Sequence, residues 1–187
     1  GPEYETVWSM GADCGIDDLN AITKAHNICD DLGMDPISFG ATVACAMELN
    51  EKGKIPKNKL YGLDLKFGNP QAIVELAYWT GYRSNFGDDI ALGSKRLAQK
   101  YGAPDLSMDV KGLELPAYDP RVVQGHGLGY ATSNRGGCHL RAYMIAPEVA
   151  GIPEKIDPYQ TAGKAKWVKA FQDIFSVCDS LLTCKFI

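Results

Sequence analysis

Ile28-Cys29-Asp30-Asp31-Leu32-Gly33-Met34-Asp35-Pro36-Ile37-Ser38-Phe39 reads as one helix ending and another beginning. Upstream, Leu19, Ile22, Ile28 and Leu32 recur at three- and four-residue spacing or its multiples, the mark of an amphipathic helix. Asp17 and Asp18 fall in its expected first turn, where carboxylates complement the helix dipole. Gly33 is the residue for a left-handed C-terminal cap. Asp35 then suits the N-cap of the next helix and Pro36 its first position, with Phe39, Val43, Cys45 and Met47 inward and a stop near Gly53.

The same reading extends outward. Lys54 to Gly68 is a polar link, and Asn69-Pro70 opens a helix carrying Ile73, Leu76, Ala77 and Trp79 inward. A further helix is expected over Asp88 to Tyr101, closed by Gly102. Pro104, Gly112, Pro116, Pro120 and the glycine-rich run Gly125 to Gly137 then predict an irregular segment between 103 and 160. The last helix spans Ala162 to Leu182, with Trp167, Val168, Phe171, Phe175 and Cys178 on one stripe. No alternating strand of useful length is present, so the fold class is all-α, with regions 1–102 and 103–187.

Composition narrows the function classes. In 187 residues, 45% are hydrophobic and 22% charged, ordinary globular values that exclude disorder and collagen-like structure. Lys+Arg of 19 against Asp+Glu of 23, net −4, gives no broad nucleic-acid footprint. No apolar run is long enough to span a bilayer, and no signal peptide is visible. The chain starts at Gly1 rather than Met, which reads as a processed chain or a piece of a longer one. Cysteines at 14, 29, 45, 138, 178 and 184 show no CxxC pair; reduced thiols in a cytoplasmic or anaerobic setting are expected. Cys29 and Cys45, inside amphipathic stretches, read as small buried hydrophobes.

An internal echo carries the chemistry. Asp30-Asp31-Leu32-Gly33-Met34-Asp35 is matched by Asp179-Ser180-Leu181-Leu182-Thr183-Cys184, again at a helix end. An aspartate in the last helical turn opposes the dipole. It is better placed if it accepts hydrogen bonds from an external donor such as an amino-pyrimidine ring. The plainer alternative is a solvated Asp30 and a merely capping Asp35.

These paired motifs resemble the DxxGL(C/D) pterin motif of the tungsten-containing aldehyde ferredoxin oxidoreductases. Gly1-Pro2-Glu3-Tyr4-Glu5-Thr6, Gly15-Ile16-Asp17-Asp18-Leu19, Lys111 to Arg121 (KGLELPAYDPR), Tyr130 to Arg141 (YATSNRGGCHLR) and Cys184-Lys185-Phe186 agree with that family in order and spacing over the whole chain. The resemblance implies an irregular helical bundle like domains 2 and 3 of those enzymes. It implies oxidation of aldehydes to carboxylic acids at a tungsten (or molybdenum) bis-pterin centre, with a [4Fe–4S] cluster passing electrons to ferredoxin. By similarity, Asp30, Met34 and Asp35 bind one pterin, and Asp179 and Thr183 the other, with Arg141 as the basic pterin contact. Cys184 matches the last cluster cysteine, a thiolate being the expected iron ligand. Glu5 and His139 match the acid and imidazole beside the metal. His26 and His126 have no such support and read as structural. Leu182 departs from the family glycine.

The resemblance also implies an N-terminal β-rich domain and three further cluster cysteines that lie before Gly1 in the family, and chain continuing past Ile187. The isolated chain is expected to be inactive, and a homo-oligomer is compatible with it. Two alternatives stay open. One is an aryl-CoA reductase-type tungsten subunit, with Cys14 or Cys138 at the metal. The other is a helical interaction module that has lost the cofactor.

Overall fold

The computed structural model describes residues 1–184. Helix α2 (Leu19–Asp31) starts at Asp18, whose carboxylate accepts from the amides of Asn20 (2.9 Å) and Ala21 (3.1 Å). Asp18 is therefore the N-cap itself, one place before the first turn expected for it, because its carboxylate satisfies two amides that the helix cannot. The helix ends as the sequence predicts. Gly33 takes φ 69°, and the Met34 amide donates to the Cys29 carbonyl at 2.8 Å. That six-to-one bond closes a left-handed cap. Asp35 then caps α3 (Pro36–Glu51), accepting from the Ser38 amide at 2.8 Å. Phe39, Val43, Cys45, Ala46, Met47 and Leu49 are all buried, so α3 is enclosed on nearly every face.

Around α3 stand α1 (Tyr4–Val7), which runs on into a π-turn at Trp8–Ala12, then α4 (Pro70–Gly81), α5 (Gly87–Ile90) and α6 (Ser94–Lys100). The approach of the π-turn to α3 is close, since a Cβ at Gly40 would lie 2.6 Å from Ser9. The continuous helix expected over Asp88 to Tyr101 is in fact broken. Gly93 takes φ 78°, and the carboxylate of Glu114, buried at 5% exposure, accepts from the Ser94 amide at 2.8 Å. A long-range acceptor thus restarts the helix, a contact invisible to local periodicity. Strands β1 (Asp109–Val110) and β2 (Leu113–Glu114) pair antiparallel, too short to have left an alternating pattern.

Two compact units result, 1–117 and 118–187. Residues 103–117, grouped with the second region by their prolines and glycines, fold with the first unit; Glu114 anchors them to α3 and α6. In the second unit the glycine-rich run is not irregular but partly helical: α7 (Gln124–Thr132). Its glycines serve close packing, since a Cβ at Gly129 would come 2.8 Å from that of Ala142. A π-turn follows at Ala146–Ala150, and then α8 (Lys164–Ser180), which buries Val168 and Phe175 and half-buries Trp167, Phe171 and Cys178. The class is all-α as expected. No described helix is long and apolar enough to cross a membrane.

Candidate functional site

In the first unit, the turn between α2 and α3 opens on a cavity of about 310 Å³. Leu32, Phe39 and Ile90 give it apolar walls; Asp35, Ser38, Thr80 and Arg83 give it polar ones. Met34 and Asp35, both pterin residues by resemblance, line it together. Asp35 spends Oδ1 on the Ser38 amide. Thr42, also lining the cavity, donates its hydroxyl to Glu114 at 3.3 Å. Thr80, in contrast, is buried and its Oγ1 has no partner. Arg83 is held by Asp88 at 2.7 Å. Asp30 lies outside the cavity lining, half-exposed in the last turn of α2, with His26 Nε2 3.3 Å from its carboxylate. A flat heterocycle with an N–H-bearing edge fits this set: apolar faces, a carboxylate acceptor, and a buried hydroxyl awaiting a bond.

Glu5 is not a surface acid. It is buried, and its Oε2 accepts from the Ala117 amide at 3.0 Å. The core thiols behind it are shut away. Cys14 is fully buried with Sγ 3.3 Å from the Ser9 carbonyl, and burial, then Asp13, pushes its pKa far up. Burial first, with the nearby acids adding to it, pushes Cys29 and Cys45 to about 12. Thiolate chemistry is disfavoured at all three.

The second unit repeats the helix-end turn. Beyond α8 the Leu182 amide donates to Asp179 O at 3.2 Å and the Thr183 amide to Cys178 O at 3.0 Å. These are the bonds made by Gly33 and Met34. Leu182 adopts φ 55° in the glycine place, so the turn survives the substitution with a strained residue. Asp179 is ion-paired with Arg141 at 2.6 Å, joining two residues singled out separately in the sequence. The buried Nε of Arg141 has no partner, leaving a donor for a ligand. Arg141 also borders a polar cavity of about 290 Å³ with Asn134, Gln172 and Ser176. Thr183 and Cys184 are exposed. Among the described residues no group of three or more His, Cys, Asp or Glu could hold a metal ion.

His139 is half-buried against Tyr118, ring centroids 5.9 Å apart. Tyr118 also meets His126 at 5.2 Å, and His126 packs edge-on to Tyr130 at 4.8 Å. The His126 ring is buried and neither nitrogen has a hydrogen-bond partner. Sequence reasoning did not single out Thr80, Arg83 or Tyr118. Thr80 and Arg83 carry no motif of their own; only their proximity to the Gly33 turn marks them. Tyr118 sits inside a quoted segment but could be placed beside His139 only by the fold.

Fold and site together define a class: an all-helical protein that sets cavity-lining and arginine-paired acids on two matched helix-end turns. The chain belongs to the aldehyde ferredoxin oxidoreductase family, whose description "Aldehyde ferredoxin oxidoreductase, domains 2 & 3" matches residues 1–187. It is 51% identical over its whole length to the tungsten-containing aldehyde ferredoxin oxidoreductase of Pyrococcus furiosus and 48% identical to that of Thermococcus kodakarensis, covering 31% of each relative. A more distant relative, the aliphatic sulfonate oxidoreductase WOR-like subunit of Pyrococcus furiosus, is 27% identical over 95% of the chain, which covers 28% of it. The chain thus spans under a third of the relatives it matches.

Proposed function

We propose that the full-length protein oxidises aldehydes to carboxylic acids at a tungsten bis-pterin centre in the cytoplasm, with electrons leaving through a [4Fe–4S] cluster to ferredoxin. The observation that carries this reading is the recurrence of one acid-bearing helix-end turn in both units, in a chain half identical to tungsten-containing aldehyde oxidoreductases. Met34 and Asp35 would hold one pterin in the cavity, with Asp30 on the preceding turn. Arg141, Asp179 and Thr183 would hold the other, and Cys184 would face the cluster.

The net reaction, RCHO + H₂O → RCOOH + 2 H⁺ + 2 e⁻, defines the tasks for this chain's own residues. When bound, the tungsten centre supplies the two-electron acceptor. Glu5 takes a proton from water or from the hydrated aldehyde, its Oε2 oriented by the Ala117 amide. His139 donates a hydrogen bond to the carbonyl oxygen and polarises the carbon for attack. Tyr118 fixes the face of the His139 ring. The full burial of Cys14, with its thiol directed at the Ser9 and Gly40 carbonyls, favours this reading over one in which Cys14 ligates the metal.

The test is elemental analysis of the full-length protein purified without oxygen, alongside aldehyde-dependent dye reduction. One tungsten per chain, iron sufficient for a cluster and aldehyde turnover are expected. Molybdenum in place of tungsten would change the metal and keep the chemistry. Neither metal in a folded protein would overturn the reading in favour of an interaction module.

A further inference from the structure

The polar inventory of the cavity beside Asp35 has one member out of balance. Thr80 lies on α4 at 8% exposure, and its hydroxyl bonds neither to a side chain nor back to the preceding helical turn, the usual refuge of a helical threonine. Thr42, on α3 in the same lining, shows the ordinary outcome, since its hydroxyl is satisfied by Glu114. A buried hydroxyl without a partner is costly, so native structures rarely keep one where valine would fill the same space.

The surroundings hold Thr80 in place. The next residue, Gly81, sits so close to α2 that a Cβ there would lie 2.2 Å from Leu32 Cδ1. The α4 backbone is therefore pinned against the helix that carries the acid turn. Past it, Arg83 takes φ 53° and is tied to Asp88, which sets a guanidinium on the same cavity. Leu32 and Phe39 supply flat apolar contact, while Asp35 and Thr80 supply polar atoms.

We propose that Thr80 is a ligand-reading residue of this cavity: its hydroxyl hydrogen-bonds the polar edge of the amino-pyrimidine-fused ring bound beside Asp35 and sets how tightly that ring is held. The inference rests on the pterin reading above and adds a residue from a helix that carries no pterin motif. A hydroxyl can donate to a ring carbonyl or accept from a ring N–H, so it serves either edge of such a heterocycle.

The test is made on full-length protein produced anaerobically with tungstate, measuring pterin (as its fluorescent oxidation product) and tungsten retained per chain after dialysis. Thr80→Val keeps the shape and removes the hydroxyl. Because that hydroxyl has no protein partner, the cofactor-free Thr80→Val protein should melt no lower than wild type. Its retained pterin and tungsten should fall by about threefold to tenfold, the loss of one net hydrogen bond. Thr80→Ser should hold both near the wild-type level. Should the valine variant fail to fold, Thr80→Ala and Thr80→Ser carry the comparison, since both lack the methyl group and only one lacks the hydroxyl. Equal pterin retention in the hydroxyl-bearing and hydroxyl-free variants, with wild type fully loaded, overturns the role of Thr80 alone. A folded wild type that holds no pterin overturns the functional reading and this inference with it.

Discussion

At His126 the imidazole is enclosed by Tyr118, Tyr130 and Tyr143, and burial, with the charge of His139 adding to it, lowers its pKa to about 3. Between that value and the ordinary 6.5, the unfolded chain binds a proton that the folded one refuses. Stability from this group is therefore complete above about pH 6.5 and is lost as pH falls towards 3, by at most about 1.4 kcal/mol per pH unit. His126→Phe should flatten that slope in urea unfolding of the full-length protein at a series of pH values; an unchanged slope would remove His126 as its source. Asp13, in the other unit, works in the opposite sense: burial raises its pKa to about 6, so its contribution is present at low pH and fades as pH rises through that value. In the reaction proposed for the full-length protein, Glu5→Gln should keep tungsten and cut aldehyde turnover by about 10²- to 10⁴-fold, the usual worth of a positioned acid–base group. His139→Ala should also retain the metal and lose about 10²-fold or more, as when a single donor to a developing oxyanion is removed. Wild-type rates in either variant would exclude that residue from the chemistry.

Element by element, the helix ends decide where the acids stand. Leu182 is 93% exposed and left-handed, so its side chain contributes little packing to offset the strain. Leu182→Gly should stabilise the turn by about 1 kcal/mol or slightly less, the extra freedom of glycine in the unfolded chain taking back part of the gain. A drop in the denaturation midpoint would refute the strain assigned to Leu182. Gly87 is the converse case. A Cβ there would lie 2.0 Å from the Trp79 backbone, so Gly87→Ala must push α5 off α4, at a cost of about 3 kcal/mol or more. Scanning calorimetry would register it as a large fall in Tm.

At the scale of the whole molecule, each unit carries its own organising carboxylate. In the first, Glu114 joins α3, α6 and the hairpin. In the second, Glu148 accepts from the Gly125 amide at 2.9 Å and pairs with buried Lys164, tying the π-turn, α7 and α8 together. Glu148→Leu would leave the Lys164 ammonium buried and unmatched, a loss of about 3–5 kcal/mol. The double variant Glu148→Leu with Lys164→Met should recover only part of that loss, because the Gly125 and His126 amides that Glu148 caps stay unpaired; a double variant as unstable as the single would refute the pairing argument.

The capping residues were legible because capping is local. Gly33, Asp35, Pro36, Asn69 and Gly102 each perform a task set by two or three neighbours, so residue type alone announces it. The inward faces of α4 and α8 follow from spacing for the same reason, and so does the all-helical class. The paired acid turns were legible as a motif repeated in two places. Tertiary structure alone decided the remainder. The break at Gly93 depends on Glu114, whose carboxylate accepts from an amide twenty residues earlier, that of Ser94. The helix in the glycine-rich run depends on backbones that approach too closely for side chains. The burial of Glu5 depends on the amide of Ala117, and the cavity that brings Thr80 and Arg83 to Asp35 depends on α4 and α5 lying against α2 and α3. Local propensity acts over a few residues, whereas a site is built from groups whose separation along the chain says nothing about their separation in space.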